Sequence, residues 1–250
     1  MSEVLDHYET LLAPHYTWML GDDFAGLVEA QRELLASCGI TSGAAGDRAL
    51  DLGCGSGIQS VALAQLGYGT VLAVDISRTL LDELAERAAG FPAVQPMHAD
   101  LCAGLTGVIE PGSIATALCM GDTLPHLPDR AAVERLLQDV HDVLVPGGRV
   151  VLSFRDLTTR LTGADRFIPV RSDRDRILTC FLEDEGDHVR VHDLVHTRRD
   201  DGGWELRTSS YRKLRLAPDR VAGRLEEIGF VEVSARPGPG GAVLTAAKPG

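Results

Sequence analysis

Three glycines stand at alternate positions in DLGCGSG (residues 51–57), directly after the short apolar run RALDLG (48–53) and directly before the helix-like IQSVALAQLG. A strand that passes into a helix through such a loop needs residues without a Cβ where the backbone reverses. It also brings backbone N–H groups against whatever lies beyond the strand end. The loop therefore commits the chain to an α/β architecture with a binding crevice at the strand ends. Its spacing narrows the ligand. A dinucleotide fingerprint requires G-x-G-x-x-G, but the sixth position from Gly53 is Ile58 and from Gly55 is Ser60, so that pattern fails in both registers.

The alternation of strand and helix continues from there. TVLAVDI (70–76) reads as a second buried strand, with Ser77 as N-cap of the helix TLLDELAERAAG, which ends at Gly90 ahead of Pro92. AVQPMHAD leads to a third strand that Pro96 makes short or bulged, and SIATALCM (113–120) supplies a fourth. Val133, Leu136, Leu137, Val140 and Leu144 fall at helical spacing over 129–144, a helix closed by PGG (146–148) before a fifth strand, RVVLSF. At Arg155 the pattern changes: RILTCFLED, HVRVHDLVHTRRD and GWELRTSSYRKLRL are strand-like and separated by the turns EDEGD and DDGG, which predicts an antiparallel insertion over 155–215. A helix over 218–227 and two strands, EVSARP and AVLTAAK, close the domain, and residues 1–45 read as a helical N-terminal lid interrupted at Pro14 and Gly21. The expected fold is one α/β domain over 1–250, a Rossmann-like seven-stranded doubly wound sheet with an antiparallel β insertion after the fifth strand.

Composition excludes several partners. Residues 1–154 hold 7 basic and 20 acidic side chains in a chain of net charge −12, a balance that repels polyanions and argues against nucleic acid. No apolar run approaches the roughly 18 residues of a membrane span, and the start MSEVLDHYE is acidic where an export signal is basic, so the expected location is cytoplasmic. Five scattered cysteines without a C-x-x-C pair read as free thiols rather than a disulfide framework or zinc site. Lys213 and Lys248 are the only lysines, a bias given no functional weight at this level.

Acids recur at the strand ends. Asp51 lies in the first strand, Asp75 ends the second, where it can accept hydrogen bonds from ribose hydroxyls, and Asp100 in HADL closes the third. This constellation resembles the class I S-adenosylmethionine-dependent methyltransferases over 48–154 and the two closing strands. The insertion is similar in layout to that of glycine, sarcosine and natural-product N-methyltransferases. The resemblance implies S-adenosyl-L-methionine as cofactor: Asp51, Gly53 and Gly55 toward its methionine part, Asp75 toward the ribose, and Asp100 with Leu101 toward the adenine. The backbone around Met120 would border the methionine chain, and Tyr16, Cys54 and Ile76 belong to the same implied set. It further implies a small-molecule acceptor, a specialised metabolite methylated on N or O, and a monomer or homodimer.

The acceptor is sought in MGDTLPHLPD (120–129), after the fourth strand, which lacks the N/D-P-P-Y/F of protein and nucleic-acid amine methyltransferases. His126 is the candidate general base and Asp122 a candidate to orient an amine; a loop cap is the alternative for each. Arg155 stands to pair with an acceptor carboxylate or phosphate, or with an internal acid. Tyr8, Trp18 and Tyr211 are candidate pocket walls, or ordinary packing. In HVRVHDLVH the valines form the packed face, and His192 and His196, about 13 Å apart along one strand, are too distant to share a metal ion. No metal is expected. Two rival readings stand beside the transferase: a non-catalytic binder of the cofactor or its demethylated product, and an NAD-linked oxidoreductase, which the glycine spacing disfavours.

Overall fold

The computed structural model describes residues 3–43, 46–105 and 107–250; the first two residues of the N-terminal segment and its boundary at 44–45 lie outside them. Its centre is a seven-stranded sheet. Strands β1 (Arg48–Leu52), β2 (Thr70–Asp75), β3 (Val94–His98), β4 (Ile114–Cys119) and β5 (Leu144–Phe154) pair in parallel, and β10 (Val231–Gly238) and β11 (Gly241–Ala247) complete it antiparallel, in the order β10-β11-β5-β4-β1-β2-β3. The strand order reverses between β1 and β4, which opens a crevice at the carboxyl ends where ligands of such sheets sit.

The apolar runs are continuous because the parallel strands are covered on both faces. Leu50, Leu52, Val150 and Leu152 face α6 (Arg130–Val143) and α7 (Pro218–Ile228), while Ala49 and Val151 face α3 (Phe24–Ser37), α4 (Ile58–Gln65) and α5 (Arg78–Arg87). Ser77 caps α5 through its side chain, which accepts from the Leu80 N–H, as the sequence suggests.

The insertion is a second sheet, order β6-β7-β8-β9, built from β6 (Phe167–Ser172), β7 (Arg176–Glu185), β8 (His188–Arg198) and β9 (Trp204–Leu214). The face of β8 carrying Val189, Val191, Asp193 and Val195 is buried, and Leu11, Leu12 and Trp18 pack with Leu178 and Val195. Those side chains come from a continuous helical run: α1 (Glu3–His7), a π-helical turn (Tyr8–Leu12) and α2 (Ala13–Leu20). His7, wholly buried, pairs through Nε2 with Asp193 Oδ2 at 2.9 Å, and the Cys180 thiol donates to the other Asp193 oxygen at 2.8 Å. On the core side Glu9 accepts from the Ser77 and Thr79 hydroxyls at 2.7 and 2.8 Å. The N-terminal helices are thus bolted to both sheets.

Three local expectations need correction. The insertion has four strands, not three, because β6 carries Pro169, which is tolerated on an edge strand. Strand β5 begins at Leu144 and runs through the PGG turn residues rather than starting after them. Of the two outcomes open at Pro96, β3 is short, at five residues, and not bulged: it is an edge strand and pairs in regular register from Val71↔Val94 to Asp75↔His98. Pro14 does not end the N-terminal helix. A π turn precedes it, and the Thr10 carbonyl, which its missing N–H would have served, accepts from Arg207 Nη2 at 2.7 Å; Gly21, at φ 132°, ends the helix. All five cysteines are free thiols, and no helix among the described residues is long and apolar enough to cross a membrane.

Candidate active site

The crevice at the sheet's reversal point opens into a cavity of about 340 Å³. Strand ends of the core supply one side of its lining, with Gly53, Gly55, Asp75, Ile76, Asp100 and Leu101, and the turn after β4 adds Gly121, Thr123 and His126. The other side comes from the N-terminal helices, through Glu3, Val4, Tyr8 and Tyr16, and from the insertion, through His188 and Arg212.

The glycine loop is held from both sides. The N–H groups of Gly53 and Cys54 donate to the Val74 carbonyl at 2.8 and 3.0 Å, which ties the loop to the end of β2. A Cβ on Gly53 would sit 2.3 Å from Thr123 Oγ1, and one on Gly55 would sit 3.0 Å from Tyr16 Oη; both residues also have positive φ. Only glycine fits either position. Asp75 is fixed by the Gly55 and Ser77 N–H groups, which donate to opposite carboxylate oxygens at 2.9 Å each. Burial raises its pKa against the lowering effect of those donors. Each oxygen keeps a lone pair toward the cavity side, where a diol can donate. Asp100 spends one oxygen on the Cys102 N–H at 2.9 Å, capping the 3₁₀ turn that begins at Leu101.

Asp51, Cys54 and Met120 are not in the lining. Asp51 is buried beneath the loop, where the Ser60 hydroxyl donates to it at 2.6 Å and burial pushes its carboxyl up to about 7. Cys54 is likewise buried, its thiol raised by burial and by the Asp51 carboxylate, which leaves it unreactive. The Met120 side chain packs inward and takes the Gln31 amide on its sulfur at 3.3 Å, while its carbonyl accepts the Thr123 hydroxyl at 3.0 Å. The chain next to Met120 reaches the wall instead through Gly121 and Thr123.

Tyr8 and Tyr16 meet over the cavity with ring centroids 6.1 Å apart. Burial raises both phenols, so each stays protonated at any ordinary pH. The His126 ring meets Tyr8 edge-on at 5.9 Å and Tyr211 at 5.3 Å, and its Nε2 is buried with no hydrogen-bond partner among the described residues. Burial and the Lys213 ammonium push this imidazole down to about 3, against the opposing Asp122 and Asp193 carboxylates. It is neutral at pH 7.

Three acceptor candidates are placed differently from expectation. Trp18 lies outside the cavity, donating its indole N–H to Asp173 and packing against the insertion. Tyr211 is buried outside the lining, stacked 4.3 Å from His7. Arg155 points outward with 62% of its side chain exposed and only a 4.0 Å contact to Asp122. Asp122 is itself buried and committed. Burial works to raise its carboxyl, but the ammonium of Lys213 and the Arg155 N–H, which donates at 2.9 Å, hold it below the ordinary value. Sequence reasoning missed Lys213, although its rarity as one of two lysines was the available signal, and it missed the His7–Asp193 pair, which no local pattern announces. Among the described residues no three His, Cys, Asp or Glu side chains converge as a metal site would require.

The residues present fit a cationic, nucleoside-bearing cofactor. Asp75 offers paired acceptors for a diol, the Gly53–Gly55 backbone leaves room for close approach, and Asp75, Asp100 and Glu3 in the lining favour positive charge. A family described as a methyltransferase domain matches residues 49–148. Among curated proteins, a ubiquinone biosynthesis O-methyltransferase from Cupriavidus pinatubonensis is 30% identical over 139 residues, 56% of this chain and 53% of its own length. One from Ralstonia nicotianae is 32% identical over 56% of each chain. The chain thus spans about half the length of these relatives. Among solved structures, an amino pentose methyltransferase from Micromonospora echinaspora bound to S-adenosylmethionine superposes with a TM-score of 0.71 at 16% identity, covering 92% of this chain and 93% of its own. A methyltransferase from Streptomyces caelestis gives 0.69 at 22% identity over 88% and 90%. Residues 49–148 thus match a methyltransferase-domain family, and the chain carries the fold that these solved methyltransferase structures share.

Proposed function

We propose that this protein transfers the methyl group of S-adenosylmethionine to nitrogen or oxygen of a small molecule, in keeping with a specialised metabolite. One observation carries the reading: a single cavity has strand-end acids, the glycine loop and His126 on one side and two lid tyrosines on the other. Its volume of about 340 Å³ lies in the range of small-ligand sites, which supports the small-molecule reading.

The cofactor, when bound, supplies an activated methyl on a sulfonium, so the protein's share is alignment and exclusion of water. Asp75 would accept the ribose hydroxyls, Asp100 and the Leu101 backbone would hold the adenine, and Asp51 would favour the ammonium group through the loop. Tyr8 and Tyr16 close the cavity from the N-terminal side. These residues would hold the acceptor's lone pair toward the methyl group that the cofactor would supply. The neutral His126 imidazole is placed to accept a hydrogen bond from the acceptor's N–H or O–H and aim that lone pair. An amine bound neutral needs no base, whereas a phenol would have to bind already ionised, because an imidazole held at about 3 is too weak to take its proton.

The relatives named above suggest two acceptor chemistries to try, phenolic hydroxyls and sugar amines. A panel of both, with S-adenosylhomocysteine release as readout, tests the proposal. Turnover with members of either class is the expected result. Tight cofactor binding without turnover on any of them would point instead to a sensor or scaffold.

A further inference from the structure

Next to the cavity lies an ion pair that forms no part of its lining. Asp122 and Lys213 are 9% and 6% exposed, and the Lys213 ammonium bonds the Asp122 carboxylate directly. A buried pair of this kind is weak evidence for stability, because apolar residues of similar volume often serve as well or better. It invites the question of what it holds in place.

Asp122 has φ 79°, a left-handed conformation that a non-glycine residue keeps only where its surroundings enforce it. The enforcement is visible. Its N–H donates to the Ser153 carbonyl at 3.2 Å, one carboxylate oxygen takes the Arg155 N–H at 2.9 Å, and the other takes Lys213. Lys213 belongs to β9, so the insertion is fastened here to the ends of β4 and β5. The next residue, Thr123, donates to the Met120 carbonyl at 3.0 Å and presses on Gly53. His126 ends the same turn. A path of direct contacts therefore runs from the acceptor cover through Lys213, Asp122 and Thr123 to the cofactor loop.

We propose that Asp122 and Lys213 are positioning residues for methyl transfer, an ion pair that locks the turn bearing Thr123 and His126 to the insertion and so sets the acceptor wall against the cofactor loop. The proposal rests on the functional reading above. Around the His126 ring stand Lys213 and Tyr211 from β9, Asp122 from its own turn, His7 and Tyr8 from the N-terminal helices, and Asp193 from β8. After burial itself, Lys213 opposes a proton on that ring more than any other of them.

The test compares the wild type with Lys213→Met and with the double variant Asp122→Asn/Lys213→Met. The single variant leaves a buried carboxylate without its counter-charge and should melt lower; the neutral double variant should recover most of the melting temperature. In the double variant, S-adenosylmethionine affinity measured by calorimetry should stay within about threefold while kcat stays at least about tenfold down. The His126 ring resonance, followed by NMR, should titrate at higher pH than in the wild type. Wild-type kcat and an unchanged His126 titration in the double variant would reduce the pair to a structural role. Loss of cofactor affinity would move it to cofactor binding, and either result overturns the proposal alone. A wild-type protein that binds no S-adenosylmethionine overturns the functional reading and the proposal with it.

Discussion

Replacing Asp51 with Asn should make the protein more stable in alkali and change little in acid. The Asp51 carboxyl is raised from 3.8 to about 7 by burial beneath the glycine loop. The folded state therefore holds a proton that the unfolded chain has already released between those values, and stability falls as pH rises through that window. Over roughly 3 units the cost reaches about 4 kcal/mol above pH 7, of which less than 2 is already incurred at pH 5. Asparagine cannot ionise, and its carbonyl oxygen can still accept the Ser60 hydroxyl that now lies 2.6 Å away. Its new NH₂ group carries a desolvation cost, but that cost is the same at both pH values and cancels in the comparison. The melting-temperature difference between variant and wild type should thus be larger at pH 8 than at pH 5 by about 3 kcal/mol, or roughly 6–12 °C for a chain of this size. Differential scanning calorimetry at the two pH values measures it. An equal difference at both would refute the claim that burial holds a proton on Asp51. The same titration bears on function, since affinity for a cationic cofactor should rise through pH 7 in the wild type and lose that rise in the variant.

Three further substitutions probe the cavity. Asp75→Ala removes both ribose acceptors and should weaken S-adenosylmethionine binding by about 1–3 kcal/mol, read by calorimetry; unchanged affinity would remove Asp75 from the site. Gly53→Ala drives a methyl group into Thr123 at a positive φ, so cofactor affinity should fall at least about tenfold with a lower melting temperature, whereas wild-type binding would show that the loop yields. His126→Ala should leave cofactor affinity nearly intact while slowing transfer by roughly 100-fold if the ring aims the acceptor, and full turnover would make it a packing residue.

The core was legible in the sequence because its signals are local. Glycine freedom at Gly53 and Gly55, apolar runs buried on both faces and acids at strand ends each act within a few residues. The alternation in β8 gave the packed valine face correctly, yet the acid on that face, Asp193, showed no sign of its partner, because His7 lies 186 positions away. Trp18 failed for a related reason: an aromatic beside a cavity and an aromatic on the back of a sheet look alike until the sheet is placed. Asp122 read as an acid orienting an acceptor amine or capping its loop because the ammonium that occupies it arrives from 91 residues downstream. Proline was over-read at Pro14, where an arginine from another strand serves the freed carbonyl, and the bulge allowed for at Pro96 is absent because β3 is an edge strand.

The most direct test of the account is calorimetric titration of the purified protein with S-adenosylmethionine, S-adenosylhomocysteine and NAD, repeated on Asp75→Ala. Micromolar binding of both sulfur ligands, none of NAD, and a clear loss in the variant is the result the geometry requires. Silence from both sulfur ligands, or binding that ignores Asp75, would contradict it.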